Sequence, residues 1–210
     1  MIKRLRRVVL MFTTLFVIVH FSTDLYINKV PALPEPNDRV KHWYFAYGSN
    51  MSTRYMTNIR NVAIYKSLPA QADDYEVSFT LPGIAYIEPS FAMMTPRVGH
   101  TAFGVLHYIT PADMLKILNS ESNTYLVINI NVTDNNGKTY LAKTLVGDTK
   151  KPAINVTSTR YLNILLEGAT EHGLPEAYIR TMRQTKTVYI PIVSEMAGTL
   201  IYLIVIVASQ

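Results

Sequence analysis

Apolar and polar positions alternate along much of this chain, and the period of the alternation changes at definite points. Trp43 opens an aromatic-rich run, WYFAYGS, that predicts a strand ending in Gly48-Ser49-Asn50. Met51, Tyr55, Met56 and Ile59 then recur at near-helical spacing, which predicts a short helix over residues 52–60. Tyr75, Val77, Phe79 and Leu81 alternate with polar neighbours and predict a half-buried strand. Gly83 predicts a bend, and residues 85–96 a loop with a short strand. Residues 100–109, HTAFGVLHYI, read as another strand.

Thr110-Pro111-Ala112-Asp113 is a helix start: a threonine cap, proline in the first position and an acid in the first turn. That helix carries Met114, Leu115 and Leu118 and is expected to end near Glu121. Residues 124–134 and 138–147 read as two strands around the hairpin signal Asn135-Asn136-Gly137. Residues 158–173 form an amphipathic helix, with Tyr161, Ile164, Leu165 and Ala169 on one side and Gly173 as its stop. Pro175 starts one more helix. Strands interleave with short helices, so the fold class is α/β or α+β with a small mixed or antiparallel sheet.

The two ends follow neither period. Lys3, Arg4, Arg6 and Arg7 precede an apolar run from Val8 to Phe21, which is marginal against the about 20 residues needed to cross a bilayer. Signal anchor, cleaved secretory signal and buried helix all fit it. Residues 188–209 are strongly apolar and read as a second transmembrane helix, a shorter embedded helix or a buried strand. The expected organisation is a signal anchor or transmembrane segment over residues 1–27, a Pro-rich linker over 28–41, a domain over 42–187 and a hydrophobic segment over 188–209. The expected location is a membrane crossed once or twice, with the side of the domain left open. Three Asn-x-Ser/Thr sequons, at Asn50, Asn131 and Asn155, permit a lumenal domain without requiring one.

Composition narrows the chemistry. The 210 residues include no cysteine, which excludes disulfides, a thiol nucleophile and thiolate metal sites. The formal net charge is +5, but the amino-terminal basic cluster supplies most of it. The nearly neutral remainder offers no broad footprint for nucleic acid. The five histidines are scattered at spacings that make no metal set. Ser49 has no evident His–Asp partnership, so a serine hydrolase is a weak reading.

The strongest local signal is Tyr44-Phe45-Ala46-Tyr47-Gly48-Ser49-Asn50-Met51. A strand that ends in such a turn can present several backbone N–H groups to a small anion such as a carboxylate. The phosphate-loop lysine and glycine spacing are missing. A plain strand–turn–helix corner fits the same residues.

This octapeptide resembles the signature of the gamma-glutamylcyclotransferase family. The likeness extends in order through Tyr75-Glu76-Val77-Ser78-Phe79 with Gly83, residues 104–110, residues 158–169 and residues 173–179, and is nearest to fungal versions of the fold. The resemblance implies a barrel-like sheet flanked by helices. It implies release of 5-oxoproline from a gamma-glutamyl amino acid, peptide or amine, without metal or cofactor. The same resemblance makes Glu121 the catalytic acid, with Ser122 where the family commonly has glycine, and keeps Tyr125 downstream. The substrate-binding residues it implies are Tyr44, Ala46, Tyr47, Gly48, Ser49, Asn50, Tyr125 and Tyr161, with the turn over 48–50 taking the glutamyl carboxylate. Glu88 is a reserve acid. The expected partners are a small gamma-glutamyl substrate and, through the apolar ends, a membrane; no nucleic acid is expected. Two alternatives share the fold: a membrane-anchored binding module with weakened catalysis, and an enzyme removing gamma-glutamyl groups from a secondary metabolite.

Overall fold

Consecutive aromatic residues suit a strand that is covered on both faces, and His42–Ala46 forms such a strand, β1, with its last three residues buried. The computed structural model describes residues 40–121, 125–147 and 155–189. After β1, a 3-10 turn spans Ser49–Met51 and a π-helical turn spans Tyr55–Ile59. Two long strands follow, β2 (Lys66–Ile84) and β3 (Glu88–Ile109), and then helix α1 (Pro111–Asn119). β4 (Tyr125–Asp134) and β5 (Thr139–Gly147) form the predicted hairpin. The remaining described elements are β6 (Val156–Ser158), α2 (Thr159–Glu171), α3 (Glu176–Arg183) and β7 (Lys186–Val188).

Five strands close into a barrel in the order β1-β3-β2-β4-β5. β1 runs antiparallel to β3, with Trp43 opposite Tyr108, and parallel to β5, with Trp43 opposite Ala142. The parallel β1–β5 seam makes the barrel mixed. A barrel of so few strands is narrow, and small buried residues on its strands suit that: Ala46, Ala70, Ala72, Ala102 and Ala142. Phe45, Val105 and Leu106 fill the rest without exposure. The fold is a small α+β barrel flanked by short helices, which decides between the two classes left open by the sequence.

The segment over 85–96 departs from expectation. Only a turn at 85–87 interrupts it, and Glu88 begins a strand of 22 residues. Gly83 lies inside β2, where its α-carbon passes close to the Glu88 carbonyl. The β2–β4 pairing is confined to Ala70 and Gln71, so this end of the β2–β3 hairpin is a two-stranded ribbon whose outer edges pair with no other barrel strand, where Pro82 and Pro89 are tolerated.

The threonine cap holds as read, and a serine cap joins it. The Thr110 hydroxyl accepts from the Asp113 amide (3.1 Å) and donates to its carboxylate (2.8 Å), fixing the start of α1. The Ser158 hydroxyl likewise accepts from the Tyr161 amide (3.0 Å) and caps α2. Helix α2 also rests directly on the 3-10 turn: a Cβ added to Gly168 would lie 2.5 Å from Met51 C and Ser52 N. Only glycine permits that approach.

The expectation of a membrane location, and of a membrane as partner, is corrected. No helix among the described residues is long and apolar enough to cross a membrane. The longest, α2, has 13 residues. That is about 20 Å of helix, against a hydrocarbon core of about 30 Å. The apolar segments over 1–27 and 188–209, and the linker over 28–41, lie outside the described residues apart from their edges at 40–41 and 188–189.

Candidate active site

A cavity of about 240 Å³ opens where the end of β1, the ribbon of β2 and β3, the end of α1 and the start of α2 converge. The chain enters it at Tyr44 and Tyr47. The Tyr47 hydroxyl donates to the Leu145 carbonyl of β5 (2.5 Å), which ties this wall to the barrel. Gly48, Ser49 and Asn50 form the next part of the lining. The 3-10 turn is closed by Met51 N donating to Gly48 O (3.0 Å) and Ser52 N to Ser49 O (3.2 Å).

Asn50 joins the turn to an acid. Its amide nitrogen donates to the Tyr44 hydroxyl (2.9 Å) and lies 3.4 Å from Glu121 Oε1. Glu121 arrives just past the end of α1, which stops at Asn119. The same Oε1 receives Arg60 Nη2 at 2.5 Å. Arg60 also donates to the Ser120 hydroxyl, which in turn donates to the Ile117 carbonyl (2.8 Å). The π-helical turn delivers Arg60: its N–H reaches back to Tyr55 O (3.2 Å), the five-residue bond of that geometry.

Burial pushes the Glu121 carboxyl above the usual glutamate value. The Arg60 charge and the hydrogen bonds from Asn50 and Arg60 pull the other way without cancelling it. Burial also works against the Arg60 cation, but Glu121 and the tyrosines at 55, 44 and 125 outweigh it and raise its pKa. The hydroxyls of Tyr44 and Tyr125 are held neutral by burial first and by the Glu121 charge second.

The opposite wall is built by Tyr161, Glu88 and Arg160. The Tyr161 hydroxyl accepts from the Ala92 amide (3.3 Å), and its ring meets Phe91 edge-on with centroids 5.0 Å apart. That hydroxyl also crowds Gly48, whose added Cβ would lie 3.1 Å from it. Glu88 is fully buried and pairs with Arg160, whose Nη2 and Nε reach Oε1 at 2.5 and 2.6 Å. The Ser158 hydroxyl donates to the same oxygen (2.9 Å). Among the described residues, Asn50 Oδ1, Arg60 Nε and Glu88 Oε2 are buried with no hydrogen-bond partner, and all three residues line the cavity. Buried polar atoms are rarely left so.

Behind the turn sits His107, fully buried. Its Nε2 lies 2.9 Å from the Asn50 carbonyl and its Nδ1 2.9 Å from the Ser67 hydroxyl. A carbonyl only accepts, so Nε2 carries the proton and the serine donates to Nδ1.

Comparison with known proteins places this geometry. Residues 101–182 match the model of the AIG2-like family. The chain is 25% identical over 173 residues to the gamma-glutamyl cyclotransferase gliK of Aspergillus fumigatus, covering 70% of this chain and 62% of that protein. It is 25% identical over 186 residues to the gamma-glutamyl cyclotransferase aclK of Aspergillus oryzae, covering 78% of this chain and 67% of that one. The crystal structure of a human uncharacterized protein, loc79017, superposes with a TM-score of 0.65 at 25% identity, covering 77% of this chain and 98% of that chain. The chain has the AIG2/gamma-glutamylcyclotransferase-like fold, at a distant level of similarity.

The matched AIG2-like stretch takes in the end of β3, α1, Glu121, β4, β5, α2 and most of α3, but not the turn over 48–51. The chain spans less than two thirds of gliK. Of the residues singled out from the family's motifs, Tyr44, Tyr47, Gly48, Ser49, Asn50, Glu121, Tyr125 and Tyr161 all line the one cavity. Ala46 does not. It is buried in β1, where its carbonyl packs against Gly104 of β3. Ser122 lies outside the described residues. The reading of single residues missed Arg60, Arg160 and His107. Each is a lone basic or imidazole side chain in the sequence, and only the fold supplies the partner that gives it meaning.

Proposed function

We propose that the protein cyclises a gamma-glutamyl amino acid, peptide or amine to 5-oxoproline and releases the amine. The observation that carries this reading is a half-buried carboxylate, Glu121, that meets the Gly48–Asn50 turn through Asn50 in a small cavity. The family relationship and the names of the two Aspergillus relatives support it. They also support the nearness to fungal members.

In this reading the turn over Gly48, Ser49 and Asn50 receives the substrate α-carboxylate, and Tyr44, Tyr47, Tyr125 and Tyr161 wall in the glutamyl chain. Glu121 accepts a proton from the α-ammonium, freeing its nitrogen to attack the γ-carbonyl. A ring C–N bond forms and the amide C–N bond breaks. The two protons shed by the α-ammonium end on the departing nitrogen, and no water is consumed. Five-membered closure is intramolecular, so holding one rotamer of the glutamyl chain supplies much of the acceleration. A carboxyl raised by burial suits a group that must take a proton and return it.

The test is 5-oxoproline release from gamma-glutamyl amino acids, gamma-glutamyl peptides and gamma-glutamyl amines. Wild type should release it from at least one class. Glu121→Gln should lower turnover by about 10²-fold or more. No product from any compound, or full turnover in Glu121→Gln, overturns the reading.

A further inference from the structure

The cavity has two acid–guanidinium pairs, and the chemistry above uses only Glu121 with Arg60. The second pair, Glu88 with Arg160, is 70 or more residues away in sequence from its own partners and still lines the same space. Its bonding is lopsided. Arg160 Nε, Arg160 Nη2 and the Ser158 hydroxyl all converge on Glu88 Oε1. Oε2, on a side chain with no exposure, has no partner. A pair that served only to pin β3 to the start of α2 would gain from sharing its donors between both oxygens. Arg160 engages Glu88 with two of its five donor positions and keeps 24% of its side chain exposed.

Tyr161 lines the same cavity, and its hydroxyl, raised by burial first, feels the charge of both Glu121 and Glu88. A ligand there shares the cavity with two acid–guanidinium pairs, which fits a molecule with more than one charged or polar group.

We propose that Glu88 and Arg160 form a second subsite that takes the departing part of the substrate, when that part carries a carboxylate. Arg160 receives the carboxylate, and Glu88, with no exposed surface of its own, holds the guanidinium in place through Oε1. The assignment of this end to the departing part rests on the cyclotransferase reading. The subsite selects leaving amino acids and peptides over simple amines.

The experiment compares gamma-glutamylalanine with gamma-glutamylethylamine, which differ by one carboxylate. Calorimetric titration uses the full chain carrying Glu121→Gln, so that neither compound is consumed. Gamma-glutamylalanine should bind about tenfold or more tightly, the margin expected when a guanidinium loses its carboxylate partner. Adding Glu88→Gln and Arg160→Met together removes both charges of the second pair at once and should bring the two affinities within about twofold, the loss of that same margin. Adding Glu88→Gln alone keeps the guanidinium and should keep the preference. Equal binding of both compounds to the parent, or a preference that survives the double change, overturns the subsite. If the preference is present but the wild type makes no 5-oxoproline from either compound, the cyclotransferase reading falls and the subsite stands.

Discussion

His107 provides the most quantitative test of how the site is held. Its imidazole has an ordinary pKa of 6.5, and in the fold burial pushes it down to about 4, with His172 adding to the fall and the Asn50 carbonyl opposing it. His172 packs edge-on with ring centroids 5.6 Å apart. Between those two values the unfolded chain takes up a proton that the folded chain refuses. The stability this supplies is complete above pH 6.5 and is lost as pH falls through 4, to the extent of about 3 kcal/mol. The perturbation is His107→Gln, whose amide can still donate to Asn50 O but does not titrate. Urea unfolding at pH 7 and pH 4 would be measured for both proteins. Titrating groups away from His107, His42 and Asp113 among them, contribute to both and cancel in the difference, and a second pair of proteins on a His172→Gln background removes the coupled imidazole. Wild type should lose about 3 kcal/mol more than the variant. An equal loss in the two proteins, or an NMR titration of His107 centred near 6.5, would refute the account of a neutral imidazole bracing the turn.

Other outcomes follow from the same geometry. The acid limb of the pH–rate profile should report Glu121, with activity rising as its carboxylate forms, at a pH above the usual glutamate value of 4.5. Arg60→Met removes the opposing charge and should move that limb further up, which a kcat/KM profile would show. Gly168→Ala forces a methyl against Met51 and Ser52; it should cost about 1–3 kcal/mol in a thermal melt and raise KM by shifting the turn. Thr110→Ala removes the α1 cap and should cost about 1 kcal/mol in chemical denaturation.

What could be read from the sequence divides by distance. Thr110-Pro111-Ala112-Asp113 and Asn135-Asn136-Gly137 act within a few residues, so their signals survive without the fold. The turn over 48–50 and the acid at 121 were legible through the ordered family motifs. Arg60 was not, because its meaning lies in an ion pair to a residue 61 positions on. Glu88 could be noted only as a spare acid, since Ser158 and Arg160 reach it from another element. The second half of β3 was legible as a strand over 100–109, but its start over 88–96 was read as part of a loop with a short strand, because nothing local says that this stretch pairs with β2 as a ribbon.

The guanidinium seated on Glu121 also bears on which form of an amine the acid welcomes. A second cation brought to that oxygen has to compete with one already there, so a protonated amine gains little by lingering. Once it gives up its proton, the repulsion from Arg60 disappears and the lone pair is free. In the proposed reaction, a counter-ion placed this way would penalise the resting form of the nucleophile and leave the reactive form alone.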